Sequence, residues 1–306
     1  MSLQGKKSIC RTLLVLLGTV LPLVAQNRPQ TVAYQFSHTA VMDPTLSPDG
    51  KEMIYIMVIA GKEQLMRRAV DGSYVRQLTN DATDHEDPAW APDGKKVAYV
   101  QIKDRQEQVY LMNPDGSGQE PLTPSDVRTI HPGWSADGRA ITYCTDDDEK
   151  PPKKNPSQIY SIDLPTRRIT TLISGGVNTY PVWSPDGKQL AFRRMLGESN
   201  SEVFVANADG SDPHNVTNDP AFDGWPAWSP DGTRLAFASN RGNQNYQIYT
   251  MNPDGSDVRL VAGTEGRGTA PKWSPDGKTI YFTVCHKVGL GSDCEIYAGR
   301  LDAYPR

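Results

Sequence analysis

Six residues stand immediately before the first proline of a recurring segment: Asp43, Asp87, His131, Tyr180, Trp225 and Ala270. The prolines that follow them lie 44, 44, 49, 45 and 45 residues apart. If that period closes into a circle, two carboxylates, an imidazole and two aromatic rings meet on one axis. Asp43, Asp87, His131, Tyr180 and Trp225 are therefore the candidate ligand-binding set at a channel mouth. Tyr180 and Trp225 can stack on a peptide or a sugar ring. His85 and Glu86 directly precede Asp87, so His85, Glu86, Asp87 and His131 are the candidate ligands for a hard or borderline divalent metal. A plainer reading stands beside both. Aspartate before proline commonly caps a turn, polar groups at a channel mouth are simply hydrated, and the aromatics can be inter-blade packing. The plainer reading carries more weight, so no cofactor is expected and a divalent metal is the alternative.

Such a circle needs one scaffold unit per residue, and the segment around each proline supplies it. Pro181-Val182-Trp183-Ser184-Pro185-Asp186-Gly187 is the fullest of six copies, the others starting at Pro44, Pro88, Pro132, Pro226 and Pro271. Ser-Pro-Asp-Gly is a type I turn followed by a residue at positive φ. Proline presets the first turn angle, aspartate suits the second, and glycine takes the left-handed position cheaply. Trp90, Trp134, Trp183, Trp228 and Trp273 precede the turns as apolar anchors expected to wedge between sheets. After each turn comes an alternating run, such as Arg234-Leu235-Ala236-Phe237-Ala238, which reads as a half-buried strand.

A second turn of the same kind recurs at Asn113-Pro114-Asp115-Gly116, Ala208-Asp209-Gly210 and Asn252-Pro253-Asp254-Gly255. Each repeat is thus four antiparallel strands, A to D, and six repeats make an all-β, six-bladed propeller. The last repeat ends at its strand C, Glu295–Leu301. The strand Thr31–Phe36 belongs to no complete repeat, and Tyr34 stands ten residues before Pro44, as Leu78 stands ten before Pro88. That strand is expected to fill the vacancy and close the ring.

Trp-Ser-Pro-Asp-Gly, then Ile-Tyr-x-Met-Asn-Pro-Asp-Gly-Ser, then Leu-Thr, resembles the WD-repeat-like propeller of the TolB family over residues 31–306. The resemblance implies a periplasmic scaffold that docks a protein partner, in TolB a peptidoglycan-associated lipoprotein. In TolB an α/β domain precedes the propeller. Here the blades follow the N-terminal segment almost directly, so only the propeller-level role carries over.

Residues 1–25 read as an export signal. Lys6, Lys7 and Arg11 form a basic region, and Thr12 to Ala25 is uncharged and mostly apolar. Residues 26–306 are then the propeller. Removing those three charges takes the formal charge from −4 to −7. With no basic stripe, nucleic-acid binding is excluded as a reading. Mean hydropathy is −0.54, and no apolar run after residue 25 reaches membrane-spanning length. Cys285 and Cys294 flank the strand B–C connection of the last blade, face each other across a hairpin, and are expected to form a disulfide. Cys144 is left as a buried thiol.

The Pro-Asp-Gly turns and the C–D turns share one face, and the irregular B–C connections share the other. The regular face reads as architecture and the irregular one as recognition. The expected function is a monomeric, non-catalytic scaffold in the periplasm or outside the cell, binding an envelope or secreted protein. The alternative is a metal-assisted lyase or hydrolase of a polysaccharide or peptide. No nucleophile elbow, zinc-protease helix or phosphate-binding loop is present.

Overall fold

The computed structural model describes residues 31–34, 41–145, 156–242, 245–288 and 291–301. Residues 1–25, expected to be an export signal, and the charged stretch 146–155 lie outside the described residues. Six four-stranded antiparallel sheets make up the fold. Strand A of the six blades is Val41–Leu46, Asp84–Trp90, Thr129–Trp134, Val177–Trp183, Asp223–Trp228 and Arg267–Trp273. Strands B, C and D follow in order in the first five blades. In the sixth, Thr279–Val288 and Gly291–Arg300 supply B and C, and Thr31–Tyr34 supplies D. Its register pairs Val32 with Ala298 and Tyr34 with Ile296. The chain therefore closes on itself as the spacing requires.

The turns form as their residues dictate. Gly50, Gly94, Gly138, Gly187, Gly232 and Gly277 all have φ between 68° and 73°. Ser47 Oγ donates to Asp49 Oδ1 at 2.6 Å, and Asp49 in turn accepts from the Lys51 N–H at 3.1 Å. These bonds favour the ionised carboxylate and hold Asp49 below its ordinary range. Each turn also abuts its neighbour: a Cβ at Gly138 would sit 3.3 Å from Pro92, and one at Gly50 would sit 3.3 Å from Pro275. The six turns thus interlock around the ring.

Strand B departs from the half-buried expectation. Leu235, Ala236, Phe237 and Ala238 are all completely buried, because each sheet has a blade against both faces. Apolar clusters fill every gap. Ile54, Ile56 and Leu65 of blade one meet Val97, Tyr99 and Met112 of blade two. Val41, Met53 and Tyr55 meet Tyr281, Ile296 and Ala298 across the closing seam. The B–C connections of blades one and two are tight turns. Ala60-Gly61 and Asp104-Arg105 both adopt positive φ, so two-residue turns link strands that pair as far as Ile59–Lys62 and Lys103–Gln106. In blade six the hairpin likewise extends past the cysteines, with Cys285 opposite Cys294 and the two bonded as a disulfide.

Candidate functional site

Every strand A carries the same irregularity. Its register with strand B shifts between Met42 and Thr45, Glu86 and Ala89, Ile130 and Gly133, Thr179 and Val182, Gly224 and Ala227, and Thr269 and Lys272. The residues inside each bulge are a ring candidate and its proline. Proline has no N–H to give the ladder, and strand A is the inner edge of its sheet, where a bulge costs least. The residue before it takes φ of 50° to 56° at Asp43, Asp87, His131, Tyr180, Trp225 and Ala270. Six equivalent kinks thereby turn six side chains onto the central axis. The five polar and aromatic positions expected at the channel are brought together as a ring.

Neighbours in the ring touch. The Asp43 N–H donates to Thr283 Oγ1 of blade six at 2.8 Å, and the His131 N–H donates to Asp87 Oδ2 at 3.1 Å. His131 Nε2 lies 3.7 Å from Asp87 Oδ2. The His131 and Tyr180 rings are 3.8 Å apart, those of Tyr180 and Trp225 are 5.2 Å apart, and Tyr246 meets Trp225 edge-on at 5.5 Å. The arc through blades one and two is acidic; the arc through blades four and five is aromatic.

A cavity of about 420 Å³ extends from the ring. Its wall includes Trp90, Trp134 and Trp183 and the turn prolines Pro92 and Pro185. It therefore runs from the ring towards the Pro-Asp-Gly face, between strand A residues, and none of its lining residues lies in a B–C connection. The motif tryptophans accordingly do two things: Trp134 Nε1 and Trp273 Nε1 donate across the blade gap to Ala89 O and Ala227 O at 3.0 Å, while three of the five also face the channel.

Lys272 enters this cavity, and the sequence reading missed it. In the other blades the equivalent position is Thr45, Ala89, Gly133, Val182 or Ala227. One long cation among small or apolar residues is the signal that could have found it. Protein surrounds Lys272, yet its own surface is open to the channel. Burial lowers its affinity for a proton, and Asp43 and Asp87 partly offset this. Burial, with the Asp87 carboxylate, raises Asp43 to about 7, against the pull of Lys272. Burial raises Asp87 to about 6, opposed by the His131 N–H and by Lys272.

The four-residue metal set does not assemble. His85 is fully buried and does not line the cavity; it lies 3.5 Å from Asp81, with its ring tilted against Tyr99 at 5.7 Å. Burial keeps it below its ordinary proton affinity, with Asp81 opposing. Glu86 reaches instead to the Glu63 carboxyl, and burial plus that neighbour push its pKa well up. Glu86 still lines the cavity with Asp87 and His131, but of the four only Asp87 and His131 are within ion-pair reach of each other. Among the described residues no group of three or more His, Cys, Asp or Glu is placed to hold a metal.

His131 Nδ1 also lies 3.2 Å from Cys144 Sγ. Thiol, imidazole and carboxylate thus stand in the order of a nucleophilic triad. Cys144, however, has no exposed surface, and burial raises its pKa above that of an ordinary thiol. A protonated, enclosed sulfur cannot attack a substrate.

The model of the TolB β-propeller domain matches residues 23–152 and 104–291. No curated protein matches the chain in sequence. Among solved structures, the chain is similar to one described as a TolB from Agrobacterium tumefaciens, with 22% identity, a TM-score of 0.65, and coverage of 88% of this chain and 91% of that one. TolB from Acinetobacter baumannii is 20% identical with a TM-score of 0.64; the match covers 87% of this chain and 64% of that protein. An oligogalacturonate lyase in complex with manganese is 14% identical with a TM-score of 0.61, covering 91% of this chain and all of that one. At these identities the likenesses establish the fold alone. Among the described residues no helix is long and apolar enough to cross a membrane.

Proposed function

Because the chain belongs to the TolB β-propeller family, we propose that it is a non-catalytic scaffold, periplasmic or secreted, that captures an envelope or secreted protein at its channel mouth. The observation that supports this reading is the ring. Six identically kinked positions project their side chains onto one axis, and the repeat itself requires no particular residue there. A fold that needed only architecture would be served by six alanines, of which Ala270 is the single example. The other five include carboxylates that burial holds uncomfortably in the folded chain. Groups that cost the fold and face an open cavity are suited to a ligand. A partner segment entering the channel mouth would meet the acidic arc on one side and the aromatic arc on the other.

Capture from an envelope extract tests the reading, with the chain as bait alongside Asp87→Ala and Trp225→Ala, each checked for an intact melting transition. A partner retained by the parent and lost from folded variants is the expected result. Equal capture by all three would remove the ring from partner binding.

A further inference from the structure

Arg193 differs from Arg194 and Arg241, whose guanidiniums have acceptors. It lies on strand B of blade four, Gln189–Met195, opposite Thr179 and Val203. Its guanidinium carbon sits 5.0 Å from the Tyr180 ring, 5.6 Å from Phe222 and 5.9 Å from Trp225. Its Nε is buried without a hydrogen-bond partner, and among the described residues its side chain has no acceptor and no carboxylate. Neighbouring arginines are satisfied. Arg194 Nε donates to Asn178 Oδ1 at 2.7 Å, and Arg241 donates to Asp223 Oδ2 at 2.7 Å. The space that Arg193 occupies is kept for it, since a Cβ at Gly224 would fall 2.9 Å from its Cδ.

A second guanidinium stands beside the same indole. Arg267, which begins strand A of blade six, lies 5.6 Å from Trp225 and 4.8 Å from Tyr246. It too has no carboxylate within ion-pair reach among the described residues. A guanidinium stays charged at any physiological pH, and stacking on rings fixes its plane while leaving its N–H edge free. The outer edge of one guanidinium is by itself a two-donor fork for a planar, two-oxygen anion, and a second cation beside the same tryptophan adds to the attraction.

We infer that Arg193, seconded by Arg267, anchors a carboxylate carried by an acidic peptide segment of the partner; this rests on the channel-mouth reading above. The rest of the ring favours a carboxylate over a phosphate, because Asp43 and Asp87 across the axis would repel a dianion more strongly than a monoanion. It favours a peptide over an acidic sugar for a different reason. Tyr180, Tyr246 and both guanidiniums already pack on Trp225, which leaves only its cavity-facing remainder for a pyranose to stack on. The cluster offers donors more than a stacking platform.

The test is titration of the full chain with an end-capped hexapeptide alternating glycine and glutamate, its glutamine counterpart, and a triuronide, read by calorimetry at low salt. The glutamate peptide is expected to bind at least tenfold more tightly than the glutamine peptide. Arg193→Met should lose at least tenfold for the glutamate peptide alone, Arg193→Lys should recover part of it, and Lys95→Met, a cation on an exposed turn, should change nothing. Unchanged melting transitions separate these effects from misfolding. Equal binding of both peptides, or no effect of Arg193→Met, overturns the anchor and leaves the channel-mouth reading standing if Trp225→Ala still weakens both. Binding of the triuronide in place of the glutamate peptide, or of neither, also overturns it. Capture from envelope extract judges the scaffold reading separately.

Discussion

The two arcs of the ring use one backbone device for opposite ends. Asp43 and Asp87 sit on the same bulge, at the same φ of 50°, as Tyr180 and Trp225 sit on theirs at 56° and 52°. In the aromatic arc the projected side chains find partners and add packing. In the acidic arc they find each other and a lysine, inside a cavity where ionisation is penalised. Geometry is therefore the property of the repeat, and chemistry is the property of the single residue placed on it. The arcs should accordingly respond in opposite directions to removal of a side chain.

Trp225→Ala should give the largest effect. It removes contacts with Tyr180, Tyr246 and the blade five–six cluster, and chemical denaturation should show a loss of about 2–4 kcal/mol. A loss below about 1 kcal/mol would mean the aromatic arc, like the acidic one, is held at no benefit to the fold. Lys272→Met comes next. It removes the cation that holds down the proton affinity of Asp43 and Asp87, so both carboxyl groups should titrate at still higher pH by NMR; unchanged titrations would separate Lys272 from the acidic arc.

The acidic arc is sharpened by Asp43→Asn, whose effect should depend on pH. Asp43 binds its proton more tightly in the folded chain, about 7 against an ordinary 3.8. The folded state then holds the extra proton between those values, so stability falls as pH rises through that window. Below it the carboxyl is neutral in both states and the substitution should be nearly silent. At pH 8 Asp43→Asn should stabilise by about 1 kcal/mol, allowing for water in the channel. Melting temperatures of the two proteins at pH 4 and pH 8 check this; a stabilisation equal at both would sink it. The smallest effect belongs to Gly224→Ala. The new methyl meets the flexible stem of Arg193, and should cost about 0.5–1 kcal/mol, while altering Trp225 fluorescence by moving a guanidinium off its face.

Much of the scaffold could be read from the residues in order. Six Pro-Asp-Gly turns at a steady spacing need six glycines at positive φ, and each is found there. The orphan strand at Thr31 and the missing last strand implied closure, and the pairing of Tyr34 with Ile296 supplies it. Cys285 and Cys294 face each other because hairpin pairing is local arithmetic. These features depend on turn chemistry and on neighbours along the chain, which sequence records directly.

The contents of the site were only half legible. That Asp43, Asp87, His131, Tyr180 and Trp225 share one ring was legible from the repeat. Their separation from His85 was not, because the bulge reverses which neighbours point inward, and a one-residue slip changes the face of every side chain. Lys272 reaches the cavity, and Arg193 reaches the aromatic arc, from strands that look ordinary in sequence. Whether a cation meets a carboxylate, a ring or nothing depends on blades brought together from distant parts of the chain, and only closure of the ring decides that.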